Sequence, residues 1–190
     1  GQILHASAGV ITYFLIVFSL GVAFGSLACG KILKGLIHAT YIPVSALGMG
    51  LSLYALYALT KNYQTPAELI TLNTFFTTPS SDKISAALFL LAFFGGMYIV
   101  PLNALMQTNA PKAYTAAVIA GNNILNSLGM SAAAVLAVLL LSLGFTIPEL
   151  FFAAAIINLF VFAYIVALLP DALLRSVFQA VLGILFRVRL

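Results

Sequence analysis

The sequence predicts an all-α polytopic membrane protein, and three observations predict it. Hydrophobic residues make up 63% of the 190 and charged residues 6%, with a mean hydropathy of +1.16. A soluble domain of this size carries roughly 25% charge, so a soluble enzyme is excluded. Several runs reach the ~20 apolar residues that a helix needs to cross a bilayer. The few charged residues fall between or at the ends of those runs, with no Asp, Glu, Lys or Arg in the middle of one.

In order, residues 8–30 form the first predicted span. Its Gly21, Gly25 and Cys29 recur every four residues, a ridge of small side chains that lets another helix come close. Thr12, Ser19 and Ser26 recur every seven and share a different stripe, where a hydroxyl can bond back to its own helix. The single cysteine supports neither a disulfide nor a metal site and reads as a packing residue. A loop with Lys31, Lys34 and His38 follows. The second span, 41–60, has Pro43 in its first turn, where a missing N–H costs little, and Gly48 and Gly50 narrow its middle.

The long connection 61–84 contains Thr65-Pro66-Ala67-Glu68, which reads as a capping box. Leu69, Ile70, Leu72, Phe75 and Phe76 come next, predicting a short helix on the membrane surface. Pro79-Ser80-Ser81-Asp82 breaks it and caps the third span, 85–107. Gly95, Gly96 and Pro101 lie in that span's second half, and Pro101 removes the bond to the Met97 carbonyl, predicting a bend. After Asn109-Ala110-Pro111-Lys112 comes the fourth span, 115–143. Thr146-Ile147-Pro148-Glu149, a second capping box, opens the fifth, 150–169, in which Asn158 reads as a contact between helices. The tail, 170–190, places Leu173, Leu174, Val177, Phe178, Val181, Leu182, Leu185 and Phe186 on one side and Arg175, Gln179, Arg187 and Arg189 elsewhere. It reads as an amphipathic helix lying along anionic lipid.

The stretch 94–130 organises the rest. Asn103 and Gln107 in the third span, and Asn122, Asn123, Asn126 and Ser127 in the fourth, place amides where a lipid-facing helix carries only Leu, Val and Phe. A buried amide without a partner costs on the order of 2–7 kcal/mol. Two explanations stand: the amides bond neighbouring helices together, or they line a watery path. With Thr12 and Ser19 they are the candidate substrate path. Gly21, Gly25, Gly95, Gly96 and Pro101 are the candidate gating and packing residues.

Five spans alternate the loops. Lys31, Lys34, Lys112, Arg175, Arg187 and Arg189 fall on one side, and Lys61 and Lys83 on the other. The excess of basic residues places the first side in the cytoplasm, the start of the chain outside it and the tail inside. The net charge of +4 belongs to these flanks and gives no case for nucleic acid. His5 and His38 have no partner in sequence, and no nucleophile motif, phosphate loop, metal cluster or cofactor site is present, so an enzyme is not expected. The chain opens on Gly1 without a visible signal peptide and is expected to be a piece of a longer protein.

Gly95-Gly96 followed by Val100-Pro101-Leu102-Asn103-Ala104-Leu105 and Gln107 resembles the tenth transmembrane helix of the bacterial lysophospholipid transporters of the major facilitator superfamily. Asn122, Asn126 and Ser127 resemble the polar face of the eleventh helix in that group, and 8–30 is similar to the eighth. The resemblance covers about 8–169 and implies a partial transporter domain, with the seventh helix and the N-terminal half lying elsewhere. The family tends to carry an acidic residue just before the second asparagine of the eleventh helix, where this chain has Leu125. Residues 173–190 look like the lead-in to a glycerophospholipid acyltransferase domain, which some bacterial proteins fuse to such a transporter together with an acyl-carrier-protein synthetase. The resemblance implies the bacterial inner membrane and inward flipping of a lysophospholipid, lysophosphatidylethanolamine in that fusion, by alternating access, followed by reacylation. The partners it implies are membrane lipids, the lysophospholipid, the missing transporter half, the acyltransferase and acyl carrier protein. The alternatives are a superfamily exporter of another small molecule or drug, and a membrane anchor for a fused lipid acyltransferase.

Overall fold

The computed structural model describes residues 7–33, 41–61, 70–78 and 80–168. They form six helices: α1 (Ala8–Leu33), α2 (Ile42–Thr60), α3 (Leu72–Thr77), α4 (Ser81–Asn109), α5 (Thr115–Ser142) and α6 (Ile147–Leu168). All but α3 are long and apolar enough to cross a membrane. The chain is an all-α, multi-pass membrane protein. The basic tail, the capping box at Thr65–Glu68 and the Lys34–His38 loop lie outside the described residues.

Each element end has a local cause. The third span begins at Ser81, four residues before the predicted start. Ser80 takes a left-handed φ of 76°, so the chain turns there, and Asp82 then occupies the positive end of the helix dipole. Helix α1 continues past Gly30 to Leu33; a single glycine weakens a helix by about 1 kcal/mol and does not by itself end it. Helix α5 ends where Gly144 takes a φ of +94°. The Phe145 N–H then reaches the Leu140 carbonyl and the Gly144 N–H the Leu141 carbonyl, both at 3.1 Å, which closes a Schellman turn. Helix α6 opens on the predicted capping box. The Thr146 N–H and hydroxyl both donate to Glu149 Oε2, at 2.7 and 2.8 Å. The helix predicted before the third span exists as α3, but it starts at Leu72 and Thr71 caps it, accepting from the Thr74 N–H at 3.4 Å.

Helix α4 is the centre of the bundle. It packs along α1 on one side and α2 on another, and α6 lies against α2. The α1–α4 seam is built from small residues. A Cβ at Gly21 would stand 2.6 Å from the Phe89 carbonyl oxygen and 2.7 Å from Ala92 Cβ, and one at Gly25 would strike the Phe93 carbonyl oxygen. Gly96 returns the contact, with a Cβ there 2.5 Å from the Val22 carbonyl oxygen. Backbones this close allow Cα–H···O contacts in a medium that offers helices little hydrophobic drive to associate. Gly95, predicted to share the packing role, faces open space instead. One helix position before Gly96, it points about 100° away from the seam.

On α2, Gly48 receives the Phe94 ring from α4. Ile42 and Ala46 meet Ile165 of α6, with Tyr98, Leu105 and Phe162 around them. The buried Ser45 and Ser52 donate to their own helix, at the Tyr41 and Gly48 carbonyls, both at 2.8 Å. Cys29 and Pro101 are fully buried, and α4 runs through Pro101 as one helix.

Candidate functional site

The amide stripe lies on the helix with the least packing. No residue of α5 is buried, and its contacts with α4 and α6 are sparse. Asn122 is half-buried, whereas Asn123, Asn126 and Ser127 are exposed. The reason is visible in the sequence of the helix. Ile124, Leu125 and Leu128 flank the stripe and project from a helix that no glycine seam draws inward: a Cβ at Gly121 or Gly129 would meet nothing within 4 Å.

The hydroxyls on α5 are satisfied from within. Ser127 donates to the Asn123 carbonyl and Ser131 to the Ser127 carbonyl, each at 2.9 Å. The three asparagine amides make no hydrogen bond among the described residues. Each therefore presents two N–H donors and a carbonyl acceptor. Asn123, Ser127 and Ser131 border a shallow depression of about 330 Å³ with Ile124 and Leu128. Facing hydrocarbon, three open amides would cost several kcal/mol each. The stripe must therefore meet water, a polar ligand or another protein surface.

On α4, Asn103 is half-buried and Gln107 exposed, one turn apart on the same face. Asn103 precedes the α4–α5 turn by about as many residues as Asn122 follows it, so both sit at a similar depth, about 10 Å from the turn. Thr12 and Ser19 are exposed on α1, and the Thr12 hydroxyl donates to the Ala8 carbonyl at 2.9 Å. Helices α1 and α5 do not touch. The predicted path residues thus lie on three helices, and the described residues do not gather them into one enclosed chamber. Of the packing set, Gly21, Gly25, Gly96 and Pro101 are buried in the bundle and Gly95 is the exception.

Asn158 has a more particular role than a generic interhelical contact. Its Oδ1 is buried without a hydrogen-bond partner among the described residues. It occupies the space that a Cβ on Gly50 would need, 2.8 Å from that position. It borders an apolar groove of about 220 Å³ between α2 and α6, lined among others by Leu51, Phe152 and Leu159. The pairing of a glycine on one span with an amide on another is invisible in sequence until the two helices are known to be neighbours.

No family model, curated protein or solved structure matches the chain. The class is set by the fold alone: a multi-pass helical membrane protein with one amide-bearing helix outside its packed core.

Proposed function

We propose that the chain forms part of a lysophospholipid transporter of the bacterial inner membrane, moving its substrate by alternating access. The observation that carries the reading is the open amide stripe Asn122, Asn123 and Asn126 on a helix otherwise fit only for lipid. An amphiphile with a polar headgroup and an acyl chain suits such a surface. The headgroup bonds the amides while the chain stays against Ile124, Leu125 and Leu128. Asn103 and Gln107, at a similar depth on α4, extend the polar side. The stripe carries no charge, which fits a zwitterionic headgroup such as phosphoethanolamine. The likeness of 95–107 to the tenth helix of the lysophospholipid transporters supports the same class. Within this reading the chain itself performs no catalysis, its N-terminal end faces the periplasm, its tail lies in the cytoplasm, and an acyltransferase reacylates the product.

The test is uptake of lysophosphatidylethanolamine by spheroplasts carrying the protein with Asn122→Leu and Asn126→Leu together. Two lost headgroup bonds should lower uptake about tenfold or more, with the amount of protein in the membrane unchanged. Uptake at the original rate rejects the reading.

The lack of contact between α1 and α5 favours a second reading, in which the amides dock a further helix and the chain anchors a lipid-modifying enzyme. Under that reading the same double substitution leaves transport intact and weakens assembly.

A further inference from the structure

Helix α3 has six residues, too few to stand alone in water, yet it is firmly seated. Phe75 is buried with Val10 and Ile70, and Tyr13 and Phe14 of α1 pack around them. Phe14 meets Phe75 edge-on with ring centroids 5.2 Å apart, and Tyr13 meets Phe76 edge-on at 5.1 Å. The Ser7 N–H donates to the Ile70 carbonyl at 3.0 Å, tying the entry of α1 to the entry of α3.

The helix is two-sided. Leu72, Phe75 and Phe76 share one face, and Asn73, Thr74 and Thr77 the other. Phe75 uses the apolar face inward, whereas Leu72 and Phe76 remain exposed, Phe76 at 49%. That exposed edge adjoins Tyr13, whose side of α1 also carries the exposed Ile16 and Leu20. Part of the last turn is closed by its own side chains. The Thr77 and Thr78 hydroxyls donate to the Thr74 carbonyl at 3.0 and 2.8 Å, and the Thr78 N–H to the Phe75 carbonyl at 3.0 Å. A helix end closed in this way can lie at a depth where unpaired carbonyls are costly.

A second aromatic group sits at the same membrane face, on the other flank of the bundle. The Tyr57 ring near the end of α2 meets the Phe152 ring near the start of α6 with centroids 4.9 Å apart, and Tyr54 lies 6.1 Å from Tyr57. Lys61 holds its ammonium over the Tyr57 ring, 5.7 Å from the centroid. Tyrosines and a snorkelling lysine at helix ends mark the headgroup boundary.

We propose that α3 is a wedge in the lipid interface. Its Leu72–Phe76 edge enters the glycerol and upper acyl layer of the adjoining leaflet, and its threonine edge faces the headgroups. Through Phe75 and Tyr13 it holds the α1–α4 pair at that level, while the Tyr54–Tyr57–Phe152 group holds α2 and α6. The occupant of the exposed face is therefore phospholipid.

The chain contains no tryptophan, so one introduced indole reports alone. Phe76→Trp, in the complete chain reconstituted in phosphatidylcholine vesicles, should be quenched about twofold more by lipids brominated near the glycerol end than by lipids brominated near the chain terminus. Thr77→Trp, on the opposite face, should respond about twofold more to aqueous iodide than Phe76→Trp does. If Phe76→Trp does not fold, Leu72→Trp carries the same expectation. Quenching by neither bromolipid means that protein covers the face, and stronger quenching by the deep bromines means that α3 lies in the hydrocarbon. Either result, or the same iodide response at both positions, overturns the wedge.

Discussion

Helices α4 and α5 are nearly equal in length, 29 and 28 residues, and both are long and apolar enough to cross a membrane. One is the hub of the bundle and the other is almost bare. Hydropathy decides that a helix enters the membrane, and it does not decide what the helix packs against. Helix α4 places Ala92 and Gly96 against α1, where Gly21 and Gly25 complete the contact. Helix α5 has glycines too, at 121 and 129, but no described neighbour presents a matching face. Small residues stabilise a membrane bundle only where two helices supply them to each other.

The comparison breaks most sharply at glycine. Gly25→Leu drives a side chain into the Phe93 carbonyl, backbone that cannot move aside. It should lower the stability of the chain in detergent micelles by about 3 kcal/mol or more, read from helix loss on denaturation. Gly129→Leu adds the same side chain on α5 into open space and should change stability by about 0.5 kcal/mol or less. Equal losses at the two positions would remove the distinction between the helices.

A smaller effect is expected at the far seam. Asn158→Leu keeps the branched shape of the side chain at the α2–α6 contact and removes an acceptor that has no partner among the described residues. It should raise stability by about 1 kcal/mol. A loss of the same size would mean that the amide makes a bond essential to that contact.

Much of this architecture was legible in the residues. The five spans stand where the apolar runs are, the Gly21–Gly25–Cys29 ridge packs as its spacing implied, and Glu149 reaches back to the Thr146 N–H as one half of the predicted box. The third span's start and the start of α3 were misplaced because they depend on the left-handed turn at Ser80 and the cap at Thr71. Turn residues of that kind compete on nearly equal terms in sequence. Gly95 and Gly96 look alike in sequence, and only the position of α1 separates them. The site was legible as a stripe but not as a chamber. Periodicity along α5 aligns Asn122 with Asn126, whereas the distance from that stripe to Thr12, Ser19 or Asn103 is a property of helix packing that no spacing within one helix encodes.

The most direct test of the polar-path assignment uses the chain's single cysteine. With Cys29→Ala as background, cysteines placed singly at positions 122, 123, 126 and 127, and at 124, 125 and 128, are exposed to a hydrophilic maleimide in native membranes. A water-lined path predicts labelling at the first four positions about tenfold faster than at the last three, and protection of those four by lysophospholipid. Uniformly slow labelling along α5 would mean that the amides are sealed against another helix, and the path would have to be sought elsewhere.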